Sequence, residues 1–378
     1  MAAAAQAALH PPLQDGPCLQ AGSCTEVFAY TIEDFVQHGV EWKGSSPRGQ
    51  SSNSPSPFDR ILQQGWKDRQ EQGLFRYHLG DLQTRILPGK AGFVAQLNIR
   101  RGSDRRPPQE IQSVQQRFDR QQFNFTQIRP AEILFALARC CPAPGSHPAS
   151  VLVVINVSPL EFGHVLLLPE PALCLPQVLT PEVLHFGLDA VLLSAHPGFR
   201  IGFNSLGAFA SVNHLHLHGF YLNWELLVES APCKPLLPEA SLYLLQGVPA
   251  PGFMFYSEGQ QLEELAHKIC RLTSYLVQEE IAHNLFATRG AAPEGPVGSG
   301  ARPGLRVILW PRRPCFGAKE QSAFNVALCE LAGHLPVKTA QDFKGLTETA
   351  AIRIIEKHLL PEPQFTQLQC ELVALLKE

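Results

Sequence analysis

The stretch ASVNHLHLHGFYL, residues 210–222, constrains this chain more than any other. Histidine and leucine alternate from His214 to His218. Alternate residues of a strand share a face, so the pattern predicts a strand with His214, His216 and His218 on one side and Leu215 and Leu217 in a core behind them. Imidazoles gathered on one face need partners, because buried polar groups are satisfied in folded proteins. Three readings compete. A metal centre is the first. Same-face neighbours on a strand stand about 7 Å apart, a spacing that does not bring all three rings onto one ion, and the chain has neither a CxxC pair nor an HExxH helix. A purely structural cluster is the second. The third is a nucleophile, since neutral imidazole attacks phosphorus when one nitrogen faces the substrate and the other is fixed by a partner. His216, with a polar neighbour on each side, is the candidate, and Ser211 and Asn204 are candidate hydrogen-bond donors to a phosphate.

The sequence around this stretch reads as an α+β plan. SVLVVINVSPLEFGHVLLLPE predicts a strand rich in β-branched residues, a turn at SPLEFG and a second strand stopped by Pro169. Thr180, Pro181 and Glu182 predict a helix start, with Thr180 as the N-cap. RIGFNSL and HLHLHGFYL are further strands, so hairpin, helix and hairpin follow one another as an antiparallel unit. LFRYHL and GFVAQLNI also read as strands, and the segment from Phe58 to Gly73 as a helix. A weaker second unit, IAHNLFATRG to LRVILWPRR, matches the first hairpin, with Asn284 set against Asn156 and Pro311 against Pro169. Leu262, Leu265, Ile269, Leu272 and Leu276 mark one face of a helix before it. Residues 44–57 are Ser-, Pro- and Gly-rich and predict an irregular arm.

A length of 378 residues points to about two domains or one duplicated domain. The net charge of −3 argues against a general nucleic-acid or anionic-membrane surface. The basic segment 100–106 is either a solvated turn or an attractor of phosphate. The N-terminus lacks the basic start and apolar run of a secretion signal, and no run reaches the length of a membrane span. The ten scattered cysteines then read as reduced thiols of a cytoplasmic protein.

GFNSLGAFASVNHLHLHGF, taken with INVSPLEFGHVLLLPE, resembles the histidine-triad (HIT) superfamily. The resemblance rests on the triad itself, on Asn156, and on the Gly163–His164 pair, in the family's order with a helix between the two motifs. SPFDRILQQGWKDRQEQGLFRYHL, LPGKAGFVAQLNIRRGSDRRPP, QFNFTQIRP and FNVALCELAGHLPVK extend the similarity, from Phe58 onward, to the GDP-hexose phosphorylases of that superfamily. The resemblance implies a HIT-like antiparallel sheet with flanking helices, in two half-units. Residues 1–57 would be the arm, 58–235 the histidine half and 236–378 a degenerate second half. It implies transfer of GMP from GDP-glucose to inorganic phosphate through a GMP-histidine intermediate on His216. His214 and His218 would orient and polarise, Ser211 would donate to phosphate, and Asn156 and Asn204 would meet the nucleotide. Such a scheme needs no metal and no cofactor, and its partners are the GDP-hexose and phosphate; a homodimer stays open. Ala210 stands where the superfamily often has glutamine, and the loop from Asn204 to His214 is one residue short. The remaining phosphate contacts are therefore expected from residues 100–106 or the second half. A HIT-type nucleotide-sugar hydrolase and a guanine-nucleotide-binding regulatory protein are the alternative functions.

Overall fold

Eleven strand-forming runs assemble into one sheet. In the computed structural model, which describes residues 25–38, 40–43, 50–51, 54–140, 150–294, 302–317 and 322–377, they are β1 (Val27–Tyr30), β2 (Ile133–Arg139), β3 (Ser150–Ile155), β4 (Val165–Leu168), β5 (Phe199–Asn204), β6 (Leu217–Tyr221), β7 (Cys233–Leu237), β8 (Leu242–Leu245), β9 (Phe253–Ser257), β10 (Ala282–Gly290) and β11 (Gly304–Arg312). In space they run β1-β2-β3-β4-β6-β5-β10-β11-β9-β8-β7. Neighbours are antiparallel except at the edge, where β1 lies parallel to β2. The arm expected as irregular thus supplies an edge strand. Residues 1–24 and most of the Ser/Pro/Gly-rich stretch lie outside the described residues.

The expected pair of half-units is one continuous sheet. β5 pairs antiparallel with β10, Asn204 opposite Asn284, and this seam joins the first part of the chain to the second. On each side the chain follows one plan. Three strands, a long helix and two strands occur in order, β2 to β6 and β7 to β11, and the first strand after each helix lies at the seam. The equivalence differs from the one expected. β10 and β11 follow their helix as β5 and β6 follow theirs, so they stand in the place of β5 and β6 and not of β3 and β4. Repeated apolar runs look alike in sequence; only hydrogen-bond order separates them. The division expected after residue 235 falls inside β7, an edge strand, where Pro235 forfeits no ladder bond that the sheet needs.

Period-two alternation sorts the side chains. Val153, Ile155, Val165, Leu167, Ile201, Phe203, Leu217 and Tyr221 face four helices: α1 (Pro57–Glu71), α2 (Pro181–Leu193), α3 (Leu262–Gln278) and α4 (Glu362–Lys377). Residues between them in sequence, including Asn156, His164, Asn204 and His218, fall on the opposite face. α2 starts as expected, with Thr180 accepting from the Val183 N–H and Pro181 in the first turn. α2 is buried nearly all round, and its Asp189 is paired with Arg139 and with the Tyr30 hydroxyl at 2.5 Å. The opposite face is covered by a small sheet, Thr84–Ile86, Val94–Leu97 and His334–Val337, that draws on both ends of the chain. LFRYHL, expected as a strand, is irregular. Its aromatics pack instead of pairing: Phe75 lies 4.8 Å from the Trp66 ring and Tyr77 donates its hydroxyl to the Pro159 carbonyl.

Asp59, fully buried in the first turn of α1, ties three elements together. Its carboxylate accepts from the Ser56 N–H at 3.1 Å, the Ser194 hydroxyl at 2.6 Å, the Ala195 N–H at 2.9 Å and the Tyr221 hydroxyl at 2.7 Å. Asp59→Ala leaves buried donors from α1, the end of α2 and β6 unpaired. It is expected to lower unfolding free energy by about 3–5 kcal/mol, and Tyr221→Phe by about 1.5–3 kcal/mol, read from urea midpoints.

Candidate active site

β6 begins only at Leu217, so the three histidines do not share one strand as expected. His214 lies in a bend and His216 in irregular chain just ahead of the ladder. Here the backbone is held by a side chain. Gln177, 1% exposed in the loop before α2, accepts from the His216 N–H at 3.0 Å and donates to the carbonyls of His216 at 3.2 Å and Asn204 at 3.0 Å. Its own N–H binds Asn213 Oδ1 at 2.9 Å, and the Leu215 N–H binds the Leu175 carbonyl at 2.9 Å. These bonds stand in for a missing neighbour strand. Leu215 and Leu217 are fully buried on the helix side, as the alternation predicts.

The bonds assign each imidazole proton. A carbonyl only accepts, so His216 Nδ1, 2.7 Å from the His214 carbonyl, carries the proton and Nε2 keeps its lone pair. A backbone N–H only donates, so His164 Nδ1, 2.8 Å from the Leu160 N–H, is the acceptor and its Nε2–H points to His218 Nδ1 at 3.1 Å. His218 is left with its proton on Nε2. His214 accepts from the Phe125 N–H through Nδ1 at 3.0 Å, and the Pro171 carbonyl also engages its ring. Burial pushes His216 and His214 down to about 4, and His164 and His218 well below the usual imidazole value. All four rings are therefore neutral at pH 7. The β3–β4 turn that presents His164 needs Gly163. Its φ is +67°, and a Cβ there would stand 2.5 Å from the Tyr221 ring.

Two adjoining hollows meet at this row. The larger, 640 Å³, is lined by His164, His218, Asn204, Ser211, Arg101 and Arg105 on one side and by residues 322–342 on the other. The smaller, 90 Å³, is lined by His216, His218, Ser211 and Asn156, with apolar walls from Phe123, Phe125, Ile128, Val154 and Leu166. Of the residues singled out in sequence, His216, His218, Ser211, Asn156 and Asn204 come together here. His214 lines neither hollow; its ring packs between Phe118 and Phe125. The Oδ1 of Asn204 is taken by Asn284 Nδ2 at 2.6 Å and the Leu328 N–H at 3.1 Å, so Asn204 braces the seam with that atom. Arg101 and Arg105, from the basic segment, line both hollows, and Arg101 is anchored on the Ser158 carbonyl. Gln177 and Phe125 carried no signal in the sequence, because their roles depend on partners at a distance of 39 and 89 residues. Among the described residues no group of three or more His, Cys, Asp or Glu side chains is placed to hold a metal ion.

Known proteins match both the sequence and the fold. The curated GDP-D-glucose phosphorylase 1 of Homo sapiens is 57% identical over 354 residues, 93% of this chain and 92% of that protein. That of Danio rerio is 54% identical over 356 residues, covering 94% of this chain and all of its own length. GDP-L-galactose phosphorylase 1 of Arabidopsis thaliana is 32% identical over 80% of this chain and 70% of its own. Among solved structures, yeast Ap4A phosphorylase Apa2 superposes with a TM-score of 0.56 at 13% identity, over 81% of this chain and 98% of its own, a likeness of fold. The sequence model of the GDPGP1-like N-terminal domain matches residues 57–220, which hold the histidine row, and that of the GDPGP1-like C-terminal domain matches residues 228–378, which supply the far wall of the larger hollow. The chain belongs to the GDPGP1-like family.

Proposed function

We propose that this chain is a GDP-D-glucose phosphorylase that transfers GMP through His216. The observation that carries the reading is the single hydrogen bond from His216 Nδ1 to the His214 carbonyl, which leaves Nε2 unprotonated on a ring that lines the smaller hollow. Nε2 attacks the α-phosphorus of GDP-glucose. The bond to the bridging oxygen breaks and glucose 1-phosphate leaves with its electron pair. An oxygen of inorganic phosphate then attacks the same phosphorus, the N–P bond breaks, and GDP departs with His216 restored. His218, at the border of the hollows, donates Nε2–H to the phosphate oxygens, and Ser211 and the Arg101 and Arg105 guanidinium groups add further donors. His164 fixes the tautomer of His218. His214 acts by holding the backbone carbonyl that His216 needs.

In this reading the nucleoside occupies the apolar smaller hollow, with Asn156 near the ribose, and the hexose phosphate occupies the larger one. At 90 Å³ the smaller hollow lies below the roughly 300–1,000 Å³ of small-molecule sites, so entry displaces part of its wall. Arg106, stacked 3.1 Å from the Phe123 ring centroid, is the group that yields, its place over the ring suiting a purine. The equal strand plan on both sides of the seam supports two HIT-like half-units, the second having kept the framework and lost the histidines.

Intact mass after brief mixing with GDP-glucose in the absence of phosphate tests the nucleophile. Wild type gains one GMP, His216→Ala gains none, and added phosphate clears the adduct with release of GDP. Clearance by water at the same rate would instead make the chain a hydrolase. The acid side gives a second expectation. With His216 held at about 4, adduct formation by the folded protein stays level from pH 8 to about 5, where an ordinary imidazole would already have lost its lone pair. Stability behaves otherwise. The folded-state values of His214, His216 and His283, about 4, lie below the unfolded value of 6.5, so the unfolded chain binds more protons between the two. Their contribution is complete above pH 6.5 and is lost as pH falls toward 4. The slope is about 1.4 kcal/mol per pH unit for each such histidine. Urea midpoints at pH 7.5, 6 and 5 check this decline.

A further inference from the structure

The larger hollow is built for anions, and one buried group in it does not fit that purpose. Arg101, Arg105 and Lys338 line it, and their charge suits phosphate. Glu330 lines the same wall at 6% exposure. A buried carboxylate repels phosphate and is costly to desolvate. Asp342, the other acid on this wall, is accounted for locally, because it accepts the Thr339 hydroxyl at 2.7 Å in a helix cap. The Glu330 side chain reaches back to the Ala327 N–H at 2.8 Å, a bond that sets its direction but engages only Oε2. The Lys338 ammonium group hydrogen-bonds the Ser322 carbonyl at 3.1 Å and Asn325 Oδ1 at 2.9 Å, and it acts on Glu330 through its charge.

The remaining chemistry for an acceptor in an anion-binding cleft is a neutral part of the substrate that carries donors. Resting on the phosphorylase reading above, we infer that Glu330 is a specificity-determining residue that accepts hydrogen bonds from hydroxyl groups of the hexose. The positive charges of the cleft take the phosphates, and Glu330 takes the sugar. Its setting supports this. Burial pushes the carboxyl up to about 7, against the pull of backbone N–H groups, Arg101 and Lys338, with Arg105, Arg312 and Cys329 also nearby. A site built to hydrogen-bond a hydroxyl rejects analogues lacking it far more strongly than an apolar pocket rejects a changed methylene.

The test compares two reactions of the same protein. Phosphorolysis of GDP-glucose uses the hexose. Exchange of radiolabelled inorganic phosphate into GDP passes through the same GMP-histidine and does not. Glu330→Gln keeps size and an acceptor for the Ala327 N–H. It is expected to lose more than tenfold in kcat/KM for GDP-glucose while its phosphate exchange is at least half that of wild type, since removing the negative charge does not weaken phosphate binding; that retained exchange also reports a folded site. With wild-type exchange intact, equal loss in both reactions, or loss in neither, overturns the hexose assignment alone. Wild type without exchange overturns the covalent reading, and this inference falls with it. A second measurement needs no variant. On wild type, deoxy analogues of glucose 1-phosphate are expected to accept GMP from the enzyme at least tenfold less well than glucose 1-phosphate, and equal acceptance overturns the assignment.

Discussion

The hydrogen bond between His216 Nδ1 and the His214 carbonyl fixes where the His216 ring carries its proton. It spans two residues, yet it holds only if the chain from Asn213 to His216, which bends at His214 and has no strand ladder, keeps its shape. Gln177 and Leu175 provide that support from the loop before α2, and α2 is locked in turn by its buried faces and by Asp189. Asp59 fastens the far end of β6 through Tyr221. The His216 ring is thus positioned by a chain of buried polar contacts, each worth little alone and costly to break because its partners would be stranded in the core.

Neutrality of the row comes from the same burial. Imidazoles in contact would repel if charged, and desolvation keeps each of them uncharged well below neutral pH. The relay from the Leu160 N–H through His164 to His218 then has one direction, and it delivers a donor where His216 delivers a lone pair. One row of like residues acquires two opposite roles because its hydrogen-bond partners differ: a carbonyl for His216 and an imidazole for His218.

The seam between β5 and β10 extends the site across the molecule. Asn204 pairs with Asn284 beneath the cleft and also binds the Leu328 N–H, so the floor of the cleft carries the join between the two matched domains. The Arg312 guanidinium holds the Val326 carbonyl and Asn284 Oδ1. Residues 322–342 are therefore placed relative to the histidines by buried amide contacts as well as by apolar packing. That placement brings Glu330 and Lys338 opposite His218 and Ser211.

Local chemistry made part of this legible in the sequence. The alternation of His214 to His218 required Leu215 and Leu217 in the core, because a strand has a period of two; Thr180, Pro181 and Glu182 required a helix start, because a first turn needs a cap. Asn156, Gly163 and His164 were visible as a motif, and the basic stretch around Arg101 as either a solvated turn or an attractor of phosphate. Tertiary structure decided the rest. It removed His214 from the hollow and made it a support, since its two ring nitrogens found the Phe125 N–H and the Pro171 carbonyl. It merged the expected half-units into one sheet and paired β10 with β5, since hydrogen-bond order is set between strands about eighty residues apart and leaves no local mark. It chose Gln177 and Phe125, residues of ordinary sequence surroundings, because a buried side chain acquires its role from the groups that folding brings within about 3 Å of it.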